Sequence, residues 1–253
     1  MKITLIALAL TFAAVARAND YDFKEPFTRT GPFNATGEIV LSNINGDVAV
    51  RTWDKNEILI EGEKSAKTDE ELKLIDLTID LTDSHALIKV RLPRRPGGGF
   101  INGSIRAAVR FTLTVPATAV IRKIDTVNSA VTLDGLRGPV NASSVNGRIR
   151  ANALGGDAQL HTVNGSIHAN FAKIVADQKL SFETVNGSIA IALPKDAGAA
   201  LHASVVNGHI DCDFPITLAD GGKSHHSLSG TIGDGRASLS AESVNGSIHL
   251  GGL

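Results

Sequence analysis

The sequence predicts an all-β protein: a right-handed β-solenoid, β-helix-like, with Asn-Gly corners, less regular amino-terminal capping strands and one short helix. Three observations carry that prediction. Asn-Gly occurs seven times, where random pairing of fifteen Asn with 25 Gly in 253 residues would give one or two. The words around it recur with a period of about twenty residues. The flanking residues alternate apolar with polar, the period-two signature of strands with one buried face.

Taken in order, the chain opens on Met1-Lys2 and an apolar stretch from Ile3 to Val15, followed by Ala16-Arg17-Ala18. This reads as a secretory signal peptide over residues 1–18, cleaved between Ala18 and Asn19. Thirteen residues of helix reach about 20 Å, short of the roughly 30 Å hydrocarbon core. No cysteine follows the apolar stretch and no second long apolar run exists, so the mature chain is expected to be soluble, without a lipid anchor or transmembrane segment. Residues 19–35 read as an extension and 36–253 as one domain, irregular over 36–120 and regularly repeated over 121–253.

In the irregular half, Glu38 to Trp53 alternates around Asn45-Gly46, and Glu57 to Gly62 continues as a strand. Thr68-Asp69-Glu70-Glu71 resembles a capping box, which predicts a short helix from Thr68 to about Leu74. Strands are expected near Ile75–Leu81, Ala86–Leu92 and Arg106–Val115. Pro93 to Gly99 interrupts them as a loop, and Asn102-Gly103 beside it is left outside the repeat. A solenoid needs its ends covered, and this half is a plausible cap.

The regular half repeats Val-Asn-Gly-x-Ile at Asn146, Asn164, Asn186, Asn207 and Asn245. Thr126-Val127-Asn128-Ser129 is a variant and Ile44-Asn45-Gly46 an early copy. Spacings from Asn128 are 18, 18, 22, 21 and 38, and Ser229-Gly230-Thr231-Ile232 sits where the doubled interval lacks a copy; about seven coils result. Before each Asn, the second, fourth and sixth positions are apolar or small, as in Ala158, Leu160 and Thr162. After it, the third, fifth and seventh take over, as in Ile167, Ala169 and Phe171. The inward phase therefore shifts at Asn-Gly, where glycine supplies backbone freedom for a bend. An antiparallel meander of Asn-Gly hairpins closing into a barrel would also give this pattern. A solenoid explains better why the slot is Asn rather than Asp or Gly. Asn45, Asn128, Asn146, Asn164, Asn186, Asn207 and Asn245 would stack in an inward column, amide to amide, as a structural ladder.

The apolar leader, the Gly-Asp-Val-Ala-Val strand at 46–50, Val115-Pro116 and the recurrent Val-Asn-Gly-x-Ile resemble the DUF4097 family of bacterial adhesin-like proteins, over about residues 36–251. The resemblance implies a β-solenoid-like protein, secreted or in the cell envelope, with no established catalytic residues to carry over.

Composition narrows the function. The balance of 25 Lys+Arg against 26 Asp+Glu gives no basic footprint for nucleic acid. A single cysteine, Cys212, excludes a disulfide framework and alternates with Ile210 and Phe214 as a small core residue. Outward residues of a solenoid fall in columns. The third position before each Asn reads Asp125, Ser143, His161, Glu183, Ser204, His226 and Glu242, which would set His161 beside Glu183 and His226 beside Glu242. This surface-binding column could do acid–base work on a polysaccharide, or be a solvated mixed-charge face. The fourth position after it (Arg150, His168, Ala190, Asp211, His249) is a weaker groove. His225-His226 near Asp220 and Asp234 lacks the spacing that fixes a metal, and Arg91, Arg94 and Arg95 make a small basic patch. No nucleophile elbow, phosphate loop or His-Glu-x-x-His occurs. The expectation is a non-enzymatic, periplasmic or secreted adhesin-like or scaffold protein with no catalytic residues, cofactor or metal, binding an envelope component, protein or glycan. The alternatives are a polysaccharide-active enzyme or glycan-binding module on the same fold, or part of an envelope-stress sensor.

Overall fold

The computed structural model describes residues 21–92 and 106–253. The leader with its Ala18–Asn19 site, the Pro93–Gly99 loop with Arg94 and Arg95, and Asn102-Gly103 lie outside the described residues. The first half carries β1 (Phe23–Pro32), β2 (Glu38–Ser42), β3 (Val48–Trp53), β4 (Glu57–Ala66), helix α1 (Asp69–Lys73), β5 (Asp76–Leu81), β6 (His85–Arg91) and β7 (Ala107–Pro116). β8 (Val120–Thr126), β9 (Val131–Asp134), β10 (Val140–Ser144), β11 (Ile149–Leu154), β12 (Ala158–Asn164), β13 (Ile167–Phe171), β14 (Lys179–Asn186) and β15 (Ile189–Leu193) follow. The chain ends with β16 (Ala199–Asn207), β17 (Ile210–Cys212), β18 (Ile216–Lys223), β19 (Ser227–Ile232), β20 (Ala237–Asn245) and β21 (Ile248–Gly252).

These strands form two sheets. One has ten strands in the order β1-β4-β7-β3-β9-β11-β13-β15-β21-β17, the other eleven in the order β18-β19-β16-β20-β14-β12-β10-β8-β2-β6-β5. Neither sheet closes on itself, so the fold is not a barrel. Seven successive strand pairs (β2/β3, β8/β9, β10/β11, β12/β13, β14/β15, β16/β17 and β20/β21) each place one strand in the larger sheet and the next in the smaller. Equivalent strands pair in parallel, as Leu160 with Phe182 and Ile167 with Ile189. The result is a β-solenoid-like stack.

The alternation explains the core. Ala158, Leu160 and Thr162 point inward from β12, and Ile167, Ala169 and Phe171 from β13, all buried. Phe171 and Phe182 meet edge to face, with centroids 6.2 Å apart, in an interior filled mainly by Ile, Leu, Val and Ala. Each fully buried Leu or Ile stabilises by about 1.5–3 kcal/mol.

One end of the stack is covered by the irregular half. In the smaller sheet, β7 pairs with β3 in parallel and β4 and β1 follow antiparallel. In the larger sheet, β6 continues β2 in parallel and β5 closes antiparallel. Residues 23–32, within the expected extension, form an edge strand. α1 starts where the capping box predicts: the Glu71 amide donates to Thr68 Oγ1 at 3.2 Å, and three acids occupy its first turn, as the helix dipole favours.

The other end departs from the sequence reading in two ways. Ser229–Ile232 is not a repeat copy, and Gly221–Ser229, which alternation alone would leave as a side loop, lies largely in strands. β18 and β19 form an antiparallel hairpin whose second strand pairs with β16, as Leu201 with Gly230. The order in space also differs from the order in sequence. β20 pairs with β14 on one side and β16 on the other, and β21 lies between β15 and β17. The last coil of the chain thus fills a slot between two earlier ones.

Candidate functional site

Each Val-Asn-Gly lies where the chain leaves the larger sheet for the smaller. The stacked strands bring the asparagines together at these junctions. Asn128 Nδ2 donates to Asn45 Oδ1, Asn146 to Asn128 and Asn164 to Asn146, each at 2.9 Å. Asn186 donates to Asn164 and Asn245 to Asn186 at 2.8 Å, and Asn207 to Asn245 at 2.9 Å. At the covered end Asn45 Nδ2 donates to the Ala107 carbonyl at 2.9 Å. Every interior amide gives one hydrogen bond and takes one.

The column faces solvent, not the interior as expected; all its members but the half-buried Asn45 are exposed. The glycines give the reason. A Cβ on Gly165 would stand 2.1 Å from the Gly147 carbonyl oxygen, and on Gly187 1.9 Å from that of Gly165. The backbones touch there, leaving no inward room for a side chain at the junction. Gly147, Gly165 and Gly187 are not at positive φ, nor is any ladder Asn, whereas an Asn-Gly hairpin turn of type I′ needs positive φ at both. Close approach, rather than backbone freedom, is what selects glycine at these three positions.

Beneath the amides runs a second column that the alternation had classed merely as small. Ser144 Oγ donates to the Ser129 carbonyl at 3.0 Å, Thr162 Oγ1 to Gly147 at 2.9 Å, Thr184 Oγ1 to Gly165 at 3.0 Å and Ser243 Oγ to Gly187 at 3.1 Å. These hydroxyls are buried and satisfy carbonyls of the neighbouring coil. The recurrence of Ser or Thr two residues before Asn was the available signal.

On the outer face of the larger sheet, register sets Asp125, Ser143, His161, Glu183, Glu242 and Ser204 side by side. Ser143 Oγ donates to Asp125 Oδ1 at 2.7 Å, and His161 Nδ1 lies 3.5 Å from Glu183 Oε2. Because the last coil is inserted, Glu183 neighbours Glu242, a pairing the sequence order hid. His226 does not join them. It sits in the β18–β19 turn, where its carbonyl accepts the Val205 amide at 2.9 Å, and β16 separates it from β20. The antiparallel hairpin displaces it.

On the smaller sheet, His168, Ala190, His249 and Asp211 occupy one row. His249 Nε2 lies 3.6 Å from Asp213 and His209 Nε2 3.2 Å from Asp211. Small residues at Ala190, Ala192 and Gly251 leave a groove of ≈ 300 Å³ between Asn170 and His168 on one side and His249 and Asp213 on the other. Cys212, half-buried on β17, has its thiol pushed up by burial, with Asp213 adding to the shift. The Arg236 guanidinium, 2.6 Å away through Nε, holds the Asp234 carboxyl below the usual range; Asp234 is thereby engaged by a cation. Arg91 lies 3.9 Å from Asp76. Among the described residues, no three His, Cys, Asp or Glu side chains are grouped to hold a metal ion, and no helix is long and apolar enough to cross a membrane.

Comparison with known proteins adds the lineage. A candidate cell adhesion protein from Clostridium sporogenes superimposes with a TM-score of 0.52 at 13% identity, over 90% of this chain and 100% of its own. A candidate adhesin from Bacteroides fragilis gives 0.41 at 12% identity, over 89% and 97%. The first establishes likeness of fold. No curated protein sequence matches the chain. The profile of the Toastrack DUF4097 family matches residues 123–251, just over half of the chain, from the end of β8 to β21. With the stacked Val-Asn-Gly junctions falling inside that span, the chain belongs to the Toastrack DUF4097 family.

Proposed function

We propose that this protein is a non-enzymatic, adhesin-like or scaffold component of the bacterial cell envelope, periplasmic or secreted after cleavage between Ala18 and Asn19. It binds an envelope partner, glycan or protein, through the outward faces of its sheets. In this reading the stack is a right-handed solenoid, residues 36–120 form its cap, and the Asn-Gly junctions are corners that hold the coils in register. The observation that carries the reading is the row Asp125–Ser143–His161–Glu183–Glu242–Ser204. Hydroxyls, carboxylates and an imidazole recur there at one strand spacing, roughly 4.8 Å, on a flat face. Such a surface offers a partner of repeating chemistry many weak contacts in series.

The test is a glycan array with a pull-down from envelope fractions, using the mature chain and His161→Ala/Glu183→Ala. Retention that falls about tenfold or more in the double variant, with unchanged thermal unfolding, supports binding through this face; tenfold corresponds to one lost charge-assisted contact. Equal retention of both proteins overturns it.

One observation favours a second reading, a polysaccharide-active enzyme: His161 stands against Glu183, with Glu242 as the next residue in the row. Paired carboxylates are the machinery of glycoside hydrolysis. Release of reducing ends by the purified protein, abolished in Glu183→Gln and Glu242→Gln, would establish it and sink the non-enzymatic assignment.

A further inference from the structure

Six of the seven ladder asparagines, all but Asn128, precede glycine, yet they do not share one environment. Asn-Gly is the peptide sequence most prone to spontaneous deamidation, because glycine leaves the next backbone nitrogen unhindered. The reaction needs that nitrogen free and the side-chain carbonyl able to swing onto it. At Asn164, Asn186 and Asn245 both are held. The amides of Gly165, Gly187 and Gly246 donate to the carbonyls of Asn186, Asn245 and Asn207, each at 3.0 Å. The side chains of Asn146, Asn164, Asn186 and Asn245 are fixed at both ends, donating through Nδ2 and accepting through Oδ1.

Asn207 is different. It belongs to the coil that ends the stack in space, since β17 is the terminal strand of its sheet. Its Nδ2 donates to Asn245, but no further asparagine donates to its Oδ1. Among the described residues, the Gly208 amide has no hydrogen-bond acceptor; the Gly147 amide has none either, but there Asn146 is clamped at both ends of its side chain. Val206 through His209 are all exposed, Val206 to 60%. The opposite end of the ladder does not share this freedom: Asn45 is tied to Ala107, and Gly46 packs against the Val109 backbone.

We propose that Asn207 is a site of spontaneous modification, the one ladder asparagine that converts to aspartate and isoaspartate in the folded protein. The Gly208 nitrogen attacks Asn207 Cγ, forming a C–N bond as the side-chain amide leaves as ammonia with the Gly208 proton. Water then opens either carbonyl of the cyclic imide. One opening gives aspartate; the other gives isoaspartate, with the backbone rerouted through the former side chain. The net change is amide plus water to carboxylate plus ammonium. The product loses the donor that bonded Asn245 Oδ1 and sets an anion facing that oxygen, so the outermost coil loosens. The ladder thus ages from its uncovered end.

The experiment incubates the folded mature chain at mildly alkaline pH and follows each Asn-Gly peptide by mass spectrometry, scoring amide-to-acid conversion and isoaspartate. Asn207 is expected to convert at least about tenfold faster than Asn164, Asn186 and Asn245, the ratio produced by an opening about 1.4 kcal/mol easier. In denaturant the four rates should converge, because the dipeptide is the same. Asn207→Gln, which must close a larger ring, should remove the fast component. Native rates at Asn164, Asn186 or Asn245 equal to that at Asn207 overturn the proposal, as does persistence of its excess rate in denaturant.

Discussion

A ladder asparagine such as Asn164 spends both ends of one amide on its neighbours, donating to Asn146 and accepting from Asn186. These bonds are exposed, so each is worth no more than the usual net value of about 0.5–1.5 kcal/mol. Asn164→Ala should therefore lower unfolding free energy by about 1 kcal/mol and Asn207→Ala, with one bond, by less; denaturant titration checks both. Thr162 lies deeper. Thr162→Val keeps the shape but strips the Gly147 carbonyl of its donor, an expected loss of about 1–3 kcal/mol. The glycine is the severest position. Gly187→Ala would place a methyl 1.9 Å from a backbone oxygen, so it should cost upwards of about 3 kcal/mol or prevent folding. If Gly187→Ala proved milder than Asn164→Ala, the close-approach account would fail. At Cys212 the raised thiol pKa means less thiolate at neutral pH, so alkylation of the native protein should be slower than of the unfolded chain.

At the scale of elements, the sequence shows which residues face inward, because two-residue alternation depends only on the pleat. The phases before and after Asn-Gly in β12 and β13 match the buried positions in the structure. It also shows α1, because a capping box is local. It does not show partners between strands whose words are alike. Ser229-Gly230-Thr231-Ile232 reads as a repeat, yet β19 runs antiparallel against β16. Alternation has no direction, so parallel and antiparallel strands give one pattern. The hairpin has a clear task. It pairs the free side of β16, which would otherwise be a long open edge. Replacing residues 216–232 by a flexible Gly-Ser linker should leave the stack folded by circular dichroism but make it self-associate in light scattering. A monomeric variant would show that this edge needs no cover.

At the scale of the molecule, the candidate surface was half legible. His161 and Glu183 follow each other in sequence order and in space; Glu242 reaches Glu183 only because β20 enters between β14 and β16. Nothing in near-identical Val-Asn-Gly words ranks one neighbour above another; in the structure the hairpin takes one side of β16 and β20 the other. A strand paired on one side opens more readily than one paired on both. Here β21 has partners on both sides and β17 on one. Native-state hydrogen exchange should find the amides of Ile248–Leu250 slower than those of Ile210–Cys212. The reverse order would contradict the inserted arrangement.

That arrangement carries a consequence for how the molecule assembles. Residues 237–252 follow residues 199–212 in the chain yet lie between them and residues 179–193, so an empty berth stands between the fourth and fifth regular turns until the later segment is seated. Residues 237–252 then act as a keystone, set after the stones on either side. Without that keystone the outer turn would have nothing to join it to the rest of the stack.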